Sequence, residues 1–299
     1  MEQLRTELSI LIPVYNSVCL TLVDDIRQQA LSAGIKFEII VADDGSNNEE
    51  TVSSNQAIDA WENCRYIYRS QNVGRAAIRN FLAEEARYAW LLFMDSHMAV
   101  ISPQFLLQHL SSEGDVIYGG YAVREGELSS LRFQYEKACE SHHCADERRK
   151  RPYQHFHTCN FLVRRDVMLA NPFDERFRHY GYEDILFGKR LKLGGISITH
   201  TDNQLGFNTF ESNEQFLRKT EESLETLYQF RNELHGYSQM LTFAEGIHLP
   251  PIRWAIQVWH RLFRRLERHN LCSNHPSLML FRLYKIGYFF TLNNKHLET

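Results

Sequence analysis

The sequence predicts an α/β fold: a mostly parallel sheet flanked by helices, with a helical C-terminal extension. In the first hundred residues, short apolar runs alternate with amphipathic helical segments, as in βαβ units. Polar side chains follow these runs, where the carboxyl ends of parallel strands form ligand sites. From about residue 211 onward the pattern is helical. We therefore expect an α/β domain over residues 1–215 and a helical extension over residues 216–299.

The predicted elements of the first half follow one another at short intervals. Residues 8–15 form a continuous apolar run, typical of a buried parallel strand, and the helix after it ends at Gly34. Further strands are predicted at residues 37–42, 65–68 and 90–94, with a helical segment between each pair.

The middle of the chain is less regular. Residues 115–123 are predicted as one strand, and residues 160–163 and 196–200 as two more. The charged run at residues 147–151 is predicted to be a solvated or mobile loop.

Composition narrows the possible functions. The chain has 299 residues, 43% hydrophobic and 23% charged, which is typical of a globular protein with an ample core. Its net charge of −4 gives no general attraction to nucleic acid, so no nucleic-acid partner is expected. The 6 cysteines form no Cys-x-x-Cys pair, and the N-terminus does not resemble a signal peptide. We therefore expect a cytoplasmic protein with free thiols.

Asp95 and His97 directly follow the apolar run at residues 90–94. On its own, such a segment could be an ordinary turn in which Asp95 caps local backbone. A carboxylate and an imidazole at a strand end also suit a divalent ion, so we expect Asp95 and His97 to bind Mn²⁺ or Mg²⁺. His200, at the end of a later strand, is a candidate third ligand, although a single histidine there is more often structural.

Two other segments would meet at the same edge of the sheet. Asp43 and Asp44 lie on a tight turn, where carboxylates can accept hydrogen bonds from a base or ribose. Asn72 leads into a helix whose N-terminus favours phosphate, and Arg75 and Arg79 could pair with that phosphate. Each segment alone could be turn and cap chemistry. Their order, each after a strand, favours a nucleotide-diphosphate site.

Glu183 and Asp184 begin a later helix. Acidic residues at a helix N-terminus are stabilised by the macrodipole, which is a purely structural reason for them. A carboxylate at this position can also take a proton from an attacking hydroxyl, so the pair is a candidate general base.

Together these segments resemble the family 2 glycosyltransferases with the GT-A fold. The resemblance extends over roughly residues 6–215. The matching segments are residues 9–16, 43–46, 72–80, 95–97 and 181–184. It implies an enzyme that transfers a sugar from a nucleotide sugar to an acceptor hydroxyl, usually with inversion.

The resemblance also implies roles for the donor-binding residues. Four residues would hold the base and ribose: Pro13, Tyr15, Asp43 and Asp44. Arg75 and Arg79 would lie near the diphosphate.

Asp95 would be the metal-binding aspartate of an Asp-x-Asp motif. His97 departs from that motif, and the resulting Asp-x-His resembles the retaining polypeptide N-acetylgalactosaminyltransferases. Asp184 would be the catalytic base, with Glu183 orienting the acceptor. This acidic pair favours inversion, because a retaining enzyme has less need of a base on the acceptor side.

The C-terminal region lies outside this resemblance. Residues 252–266 combine apolar residues at helical spacing with a cluster of arginines. The pattern fits equally a helix packed on the catalytic domain and one lying on an anionic membrane, with Trp254 and Trp259 at the interface. Residues 278–290 are too short and too charged to span a bilayer, which needs about 20 apolar residues.

We therefore expect a UDP-sugar donor and a glycan or lipid-linked acceptor, in cell-surface polysaccharide synthesis at the inner face of the membrane. Two alternatives remain. A nucleotidyltransferase normally has a Gly-rich basic loop after its first strand, whereas this chain has Pro13 to Asn16 there. A catalytically degenerate GT-A protein that only binds glycan or scaffolds a partner is favoured by His97 and disfavoured by Asp184.

Overall fold

The computed structural model describes residues 4–207 and 209–295, without the side chains of residues 293–295. The chain forms two compact units. The first comprises Met1–Arg124, Glu140–Arg178 and Glu183–Thr209, and the second comprises Glu125–Cys139, His179–Tyr182 and Phe210–Thr299. The predicted α/β class, with a mostly parallel sheet and C-terminal helices, is confirmed. The second unit also includes two earlier segments, so its limits are not those of a single division at residue 215.

Among the described residues, ten strands belong to the first unit. They are β1 (Glu7–Val14), β2 (Lys36–Asp43), β3 (Cys64–Tyr68), β4 (Trp90–Met94), β5 (Met98–Val100), β6 (Val116–Tyr118), β7 (Tyr121–Val123), β8 (Asn160–Arg164), β9 (Ile198–His200) and β10 (Leu205–Phe207). A seven-stranded sheet has the order β3-β2-β1-β4-β8-β6-β9. Only β8 runs antiparallel to its neighbours, so the carboxyl ends of β1, β2 and β4 lie at one edge.

A second, three-stranded sheet has the order β5-β10-β7. The prediction of one strand over residues 115–123 is wrong, because β6 and β7 belong to different sheets. Gly119 and Gly120 separate them. A Cβ on Gly119 would lie 2.3 Å from the carbonyl oxygen of Asn203, and Gly120 has a φ of 80°. The chain can therefore change sheets here only with glycine.

Thirteen α-helices lie in the part of the chain that the structure describes. They are α1 (Leu20–Ala33), α2 (Glu49–Gln56), α3 (Arg75–Glu85), α4 (Phe105–Ser111), α5 (Leu131–Cys139), α6 (Ala145–Arg149), α7 (Arg165–Ala170), α8 (Glu183–Leu193), α9 (Asn213–Gln229), α10 (Arg231–Leu234), α11 (Gln239–Gly246), α12 (Pro250–Leu271) and α13 (Leu278–Lys295). As predicted, α1 ends at Gly34, whose φ of 63° is the left-handed cap that glycine favours.

The core of the first unit lies on both faces of the larger sheet. β1 is buried from Leu8 to Ile12, and these residues are apolar except Ser9, as expected for a parallel strand covered on both faces. Phe93 on β4 stacks on Phe161 of β8, with ring centroids 4.7 Å apart. Each such ring contributes about 1.5–3 kcal/mol by burial, which holds β4 and β8 together beside the candidate site.

The charged run at residues 147–151 is not a solvated loop as predicted. Arg148 lies on α6 and is only 1% exposed. Its guanidinium donates to the carbonyl oxygens of Tyr118, Gly119 and Thr201, and its Nε donates to the carbonyl of His143. A buried arginine is tolerable here because the backbone satisfies its donors.

The second unit is helical. α9 begins with a capping box formed by Ser212 and Gln215, and α12 begins with prolines in its first turn. Glu221 on α9 joins three helices, since it accepts hydrogen bonds from Arg268 of α12 and Tyr284 of α13. Within the residues that the structure describes, none of the helices is sufficiently long and apolar to cross a bilayer.

Candidate active site

The turns that follow β1 and β2 are tied together. Asn16 has a φ of 50°, and its side-chain oxygen accepts the backbone N–H groups of Asn47 and Asn48 at 3.0 and 3.2 Å. The backbone N–H of Asn16 donates in return to the hydroxyl of Ser46 at 2.7 Å. These two turns therefore form one wall at the carboxyl edge of the sheet. Tyr15 stands beside them, 49% exposed.

Asp43 is fully buried, and its carboxylate accepts hydrogen bonds from within the protein. Its Oδ1 accepts the backbone N–H of Ser46 at 2.7 Å, and its Oδ2 accepts the hydroxyl of Tyr66 at 2.5 Å. Burial, with this contact to Asp43, raises the pKa of Tyr66, so the phenol keeps its proton and remains a donor. Sequence reasoning missed Tyr66 as this partner. Both oxygens of Asp43 thus already bind the protein.

Asp44 occupies the entrance to α3. Its two carboxylate oxygens accept the backbone N–H groups of Val73 and Gly74, both at 2.9 Å. Burial raises the pKa of Asp44, and these two bonds counter that effect only in part. The two amides just before α3 are therefore already bound to a carboxylate of the protein itself. Asn72 itself is exposed beside them.

Arg79 connects two parts of the site that are far apart in the sequence. Its side chain is 2% exposed; Nη2 donates to Oδ1 of Asp95 at 2.8 Å, and Nη1 donates to Oε1 of Glu183 at 3.3 Å. Arg79 was expected to bind diphosphate, but both carboxylates already engage its guanidinium. Arg75, one turn earlier on α3, is half-buried; its charge helps to lower the pKa of Asp95 and opposes the rise in the pKa of Glu183.

Asp95 sits directly beyond β4. Burial would raise the pKa of this carboxyl, but the charges of Arg79, His97 and Arg75 outweigh that effect and lower it. The carboxylate is therefore ionised and able to bind a cation. Arg79 uses Oδ1, and among the described residues no hydrogen bond reaches Oδ2. The imidazole of His97 lies edge-on to Phe207, with ring centroids 5.5 Å apart.

His200 does not join Asp95 and His97. Nδ1 of His200 faces the guanidinium of Arg148 at 3.1 Å, and Nε2 faces the carbonyl oxygen of Pro152 at 2.9 Å. Nδ1 must accept and Nε2 must donate, so neither nitrogen has a lone pair for a metal. Burial lowers the pKa of His200 to about 4, which keeps it neutral. In the described part of the chain no three His, Cys, Asp or Glu side chains form a metal cluster.

Glu183, the first residue of α8, is directed into the protein. It is 5% exposed and pairs with Arg79. Burial and the adjacent charge of Asp184 raise the pKa of Glu183, while Arg79 opposes this shift. The sequence suggested that Glu183 orients the acceptor, whereas the structure gives it an internal partner.

Asp184 is more open, and its orientation is fixed by two bonds. Its Oδ1 accepts the backbone N–H of Ile185 at 2.8 Å, and its Oδ2 lies 2.9 Å from Nδ1 of His157. The side chains of Asp184 and His157 are 18% and 38% exposed. Sequence reasoning missed His157, which stands in a loop before β8. A partly exposed carboxylate next to an imidazole can accept a proton from a bound hydroxyl.

Comparison with known proteins places the chain in a family. Residues 9–169 match the family model described as "Glycosyl transferase family 2". An uncharacterized glycosyltransferase of Haemophilus influenzae is 33% identical over 136 residues, or 42% of this chain and 51% of that protein. The match therefore spans about half the length of this curated relative.

Solved structures share the fold. The mannosyltransferase PcManGT from Pyrobaculum calidifontis, in complex with GDP-Man and Mn²⁺, is 14% identical; the match covers 97% of this chain and 86% of that chain with a TM-score of 0.60. TarS 1–349 of S. aureus, in complex with UDP-GlcNAc, is 17% identical; the match covers 98% and 92% with a TM-score of 0.52. At such identities the resemblance concerns the fold alone.

Proposed function

This chain belongs to glycosyl transferase family 2, and on that basis we propose that it transfers a sugar from a UDP-sugar to a glycan or lipid-linked acceptor, with inversion. The observation that carries the proposal is the buried ion-pair chain from Asp95 through Arg79 to Glu183. It fixes the residues proposed to bind the donor next to Asp184, the proposed base. Two solved structures of the same fold hold nucleotide sugars, which supports a donor of this class.

Asp95 and His97 are the residues that would hold a divalent ion. The donor set fits, because Asp95 is ionised and its Oδ2 accepts no hydrogen bond from the described residues, while an imidazole nitrogen suits Mn²⁺. When bound, Mn²⁺ or Mg²⁺ would stabilise the charge of the leaving diphosphate.

Asp184 is the proposed general base. The acceptor hydroxyl loses its proton to the carboxylate as its oxygen forms a bond to the anomeric carbon of the donor. The bond from that carbon to the diphosphate oxygen breaks, and the nucleoside diphosphate leaves with the electron pair. Attack from the side opposite the leaving group inverts the anomeric configuration. His157 holds the carboxylate in place for this transfer.

The remaining residues form the walls of the donor site. We propose that Pro13 and Tyr15 contact the base, since Tyr15 is exposed at the carboxyl end of β1. Asp43 and Asp44 shape this wall through their internal bonds. Arg75 remains the proposed diphosphate contact, because it lies at the start of α3 and its charge reaches Asp95.

For the pathway, we propose cell-surface polysaccharide synthesis at the cytoplasmic face of the membrane. The acceptor would be a growing glycan or a lipid-linked sugar. The exposed, arginine-rich helix α12 supports a location next to lipid.

A donor-hydrolysis screen tests the proposal. The protein is incubated with UDP-glucose, UDP-GlcNAc, UDP-galactose and GDP-mannose, with and without Mn²⁺, and the released nucleoside diphosphate is measured. We expect metal-dependent release from one UDP-sugar and its loss in Asp184→Asn. Release from GDP-mannose alone would overturn the UDP assignment. UDP binding without release from any donor or transfer to any glycan would favour the degenerate, glycan-binding alternative.

A further inference from the structure

Helix α12 carries an exposed apolar stripe in the second unit. Five residues follow one another at spacings of three or four, which places them on one side of a helix. This α12 stripe consists of Ile252, Ala255, Trp259, Leu262 and Leu266. Leu262 and Leu266 are 72% and 65% exposed, so the stripe is not covered by the rest of the described unit. The buried residues of the helix, His260, Glu267 and Leu271, lie on a different side.

Cationic residues flank the α12 stripe. Arg261 and Arg265 are both exposed, one turn apart, on the same side as Trp254. Two further arginines of the helix, Arg264 and Arg268, instead bind Glu221. The solvent-facing surface of α12 is therefore apolar along the stripe and positively charged beside it, at Arg261 and Arg265.

The exposed surface of α12 carries no acidic residue. The helix contains five arginines and one acid, Glu267. Glu267 is 2% exposed, and its carboxylate is taken up by the indole N–H of Trp259 at 3.0 Å and by Nδ1 of His260 at 2.7 Å. The exposed surface of α12 thus presents cations to a partner with no acid among them.

We infer that the α12 stripe, with Arg261 and Arg265, binds peripherally to an anionic lipid bilayer. An amphipathic helix with arginines on one flank and tryptophan and leucine on the other lies in the interface plane of such a membrane. Trp254, 66% exposed, has the mixed apolar and polar character that favours the headgroup region. This inference extends the proposed function, because a lipid-linked acceptor would lie at the same surface.

A second copy of the chain fits this face less well. Two α12 stripes packed together would resemble a coiled coil, in which flanking charges of opposite sign set the pairing. Here the flank of each copy would offer Arg261 and Arg265, and neither α12 would offer an exposed acid in return. Like charges at such an interface disfavour association, whereas an anionic bilayer satisfies both the stripe and the arginines.

Co-sedimentation with vesicles tests the inference on the full chain without acceptor. Vesicles of phosphatidylcholine alone are compared with vesicles that also contain phosphatidylglycerol, at low and high salt. We expect binding only to the anionic vesicles, weakened by salt. Arg261→Gln and Arg265→Gln should each lower partitioning about fivefold, and Leu262→Ser about tenfold. Arg218→Gln, which removes an exposed arginine from α9, is the matched control and should leave it unchanged.

Two results would overturn the inference. One is failure of the protein to bind anionic vesicles at low salt, or binding that none of the α12 variants alters. The other is a dimer in light scattering that Leu262→Ser dissociates, which would make the α12 stripe an interface between copies. Donor hydrolysis is measured with the same protein preparations in the absence of vesicles. If the protein binds vesicles but hydrolyses no donor, the proposed function is overturned and the membrane-binding inference is kept.

Discussion

Nδ1 of His157 lies 2.9 Å from Oδ2 of Asp184, and this contact joins a loop residue before β8 to the first turn of α8. The other oxygen of Asp184 is held by the backbone of Ile185. The carboxylate is therefore held in one orientation, in which the proposed acceptor hydroxyl would meet it. Because a small misplacement of a catalytic group can cost a large factor in rate, we expect this contact to matter for turnover.

Replacing His157 should slow transfer through Asp184 rather than through donor binding. In His157→Ala the orienting hydrogen bond is lost, and kcat should fall about tenfold, as expected for a bond to a charged group. In His157→Asn the amide nitrogen can occupy the position of Nδ1, so most of the rate should return. The donor KM should change little in either variant. A structural role alone would instead lower the urea midpoint and leave kcat near normal.

Replacing Asp184 tests the base itself. Asp184→Asn keeps the shape of the side chain but cannot accept a proton, so transfer should drop by roughly 10²–10⁴. UDP affinity, measured by calorimetry, should be unchanged, because Asp184 is not proposed to touch the nucleotide. Near-normal turnover in this variant would exclude Asp184 as the base. A product with the donor's own anomeric configuration would separately exclude inversion.

Arg79 should be needed for stability as well as activity. In Arg79→Ala, the carboxylates of Asp95 and Glu183 lose their shared counter-charge while remaining buried, which we expect to cost about 3–5 kcal/mol in the free energy of unfolding. Arg79→Lys keeps the charge but not the two-pronged geometry, so it should cost less. Urea unfolding gives both values. Arg218→Ala, at an exposed arginine, is the control; an equal loss there would contradict the prediction.

The dependence of UDP binding on a divalent metal should require Asp95. UDP binding by calorimetry should be strong with Mn²⁺ and weak after chelation, and Asp95→Ala should bind weakly in both conditions. His97→Ala should lower the affinity for Mn²⁺ but retain part of it, since Asp95 remains. Metal-dependent UDP binding that survives in Asp95→Ala would sink this assignment.

Acid should destabilise the protein through buried neutral histidines. His109 is fully buried, its Nε2 faces Asn160 at 2.9 Å, and burial lowers its pKa to about 4. The unfolded chain binds this proton near pH 6.5, whereas the folded protein does not. The stabilisation is therefore complete above pH 6.5 and is lost as the pH falls towards 4, by up to about 3 kcal/mol. His109→Gln should flatten this pH dependence in urea titrations, and His275→Gln, at an exposed site, should not.

Much of the fold could be predicted because it is local in the sequence. Strands buried on both faces read as apolar runs, so β1, β2 and β4 were evident, and with them the edge at which Asp43 and Asp95 lie. Two strands of the smaller sheet, β5 and β10, were missed, since three-residue strands are too short to show a period. Gly119 and Gly120 were the only local sign that a strand breaks between β6 and β7.

The partners of the site residues could not be predicted, because they come from distant segments. Tyr66, His157 and Glu183 reach their partners across 23 to 104 positions of the chain. Nothing in the spacing of single residues predicts such contacts. Arg148 shows the same limit, since a run of charges normally marks solvent and only the folded backbone reveals its carbonyl partners.

The close packing at Gly45 bears on the kinetics of donor binding. A Cβ there would lie 2.7 Å from the backbone nitrogen of Asn72, so the two turns touch with no space for a side chain. Asp44 locks the same junction through Val73 and Gly74. A surface assembled in advance gives up little conformational entropy when a ligand arrives. Nucleotide capture should therefore follow a single kinetic phase whose rate rises linearly with concentration, with no slow rearrangement of these turns.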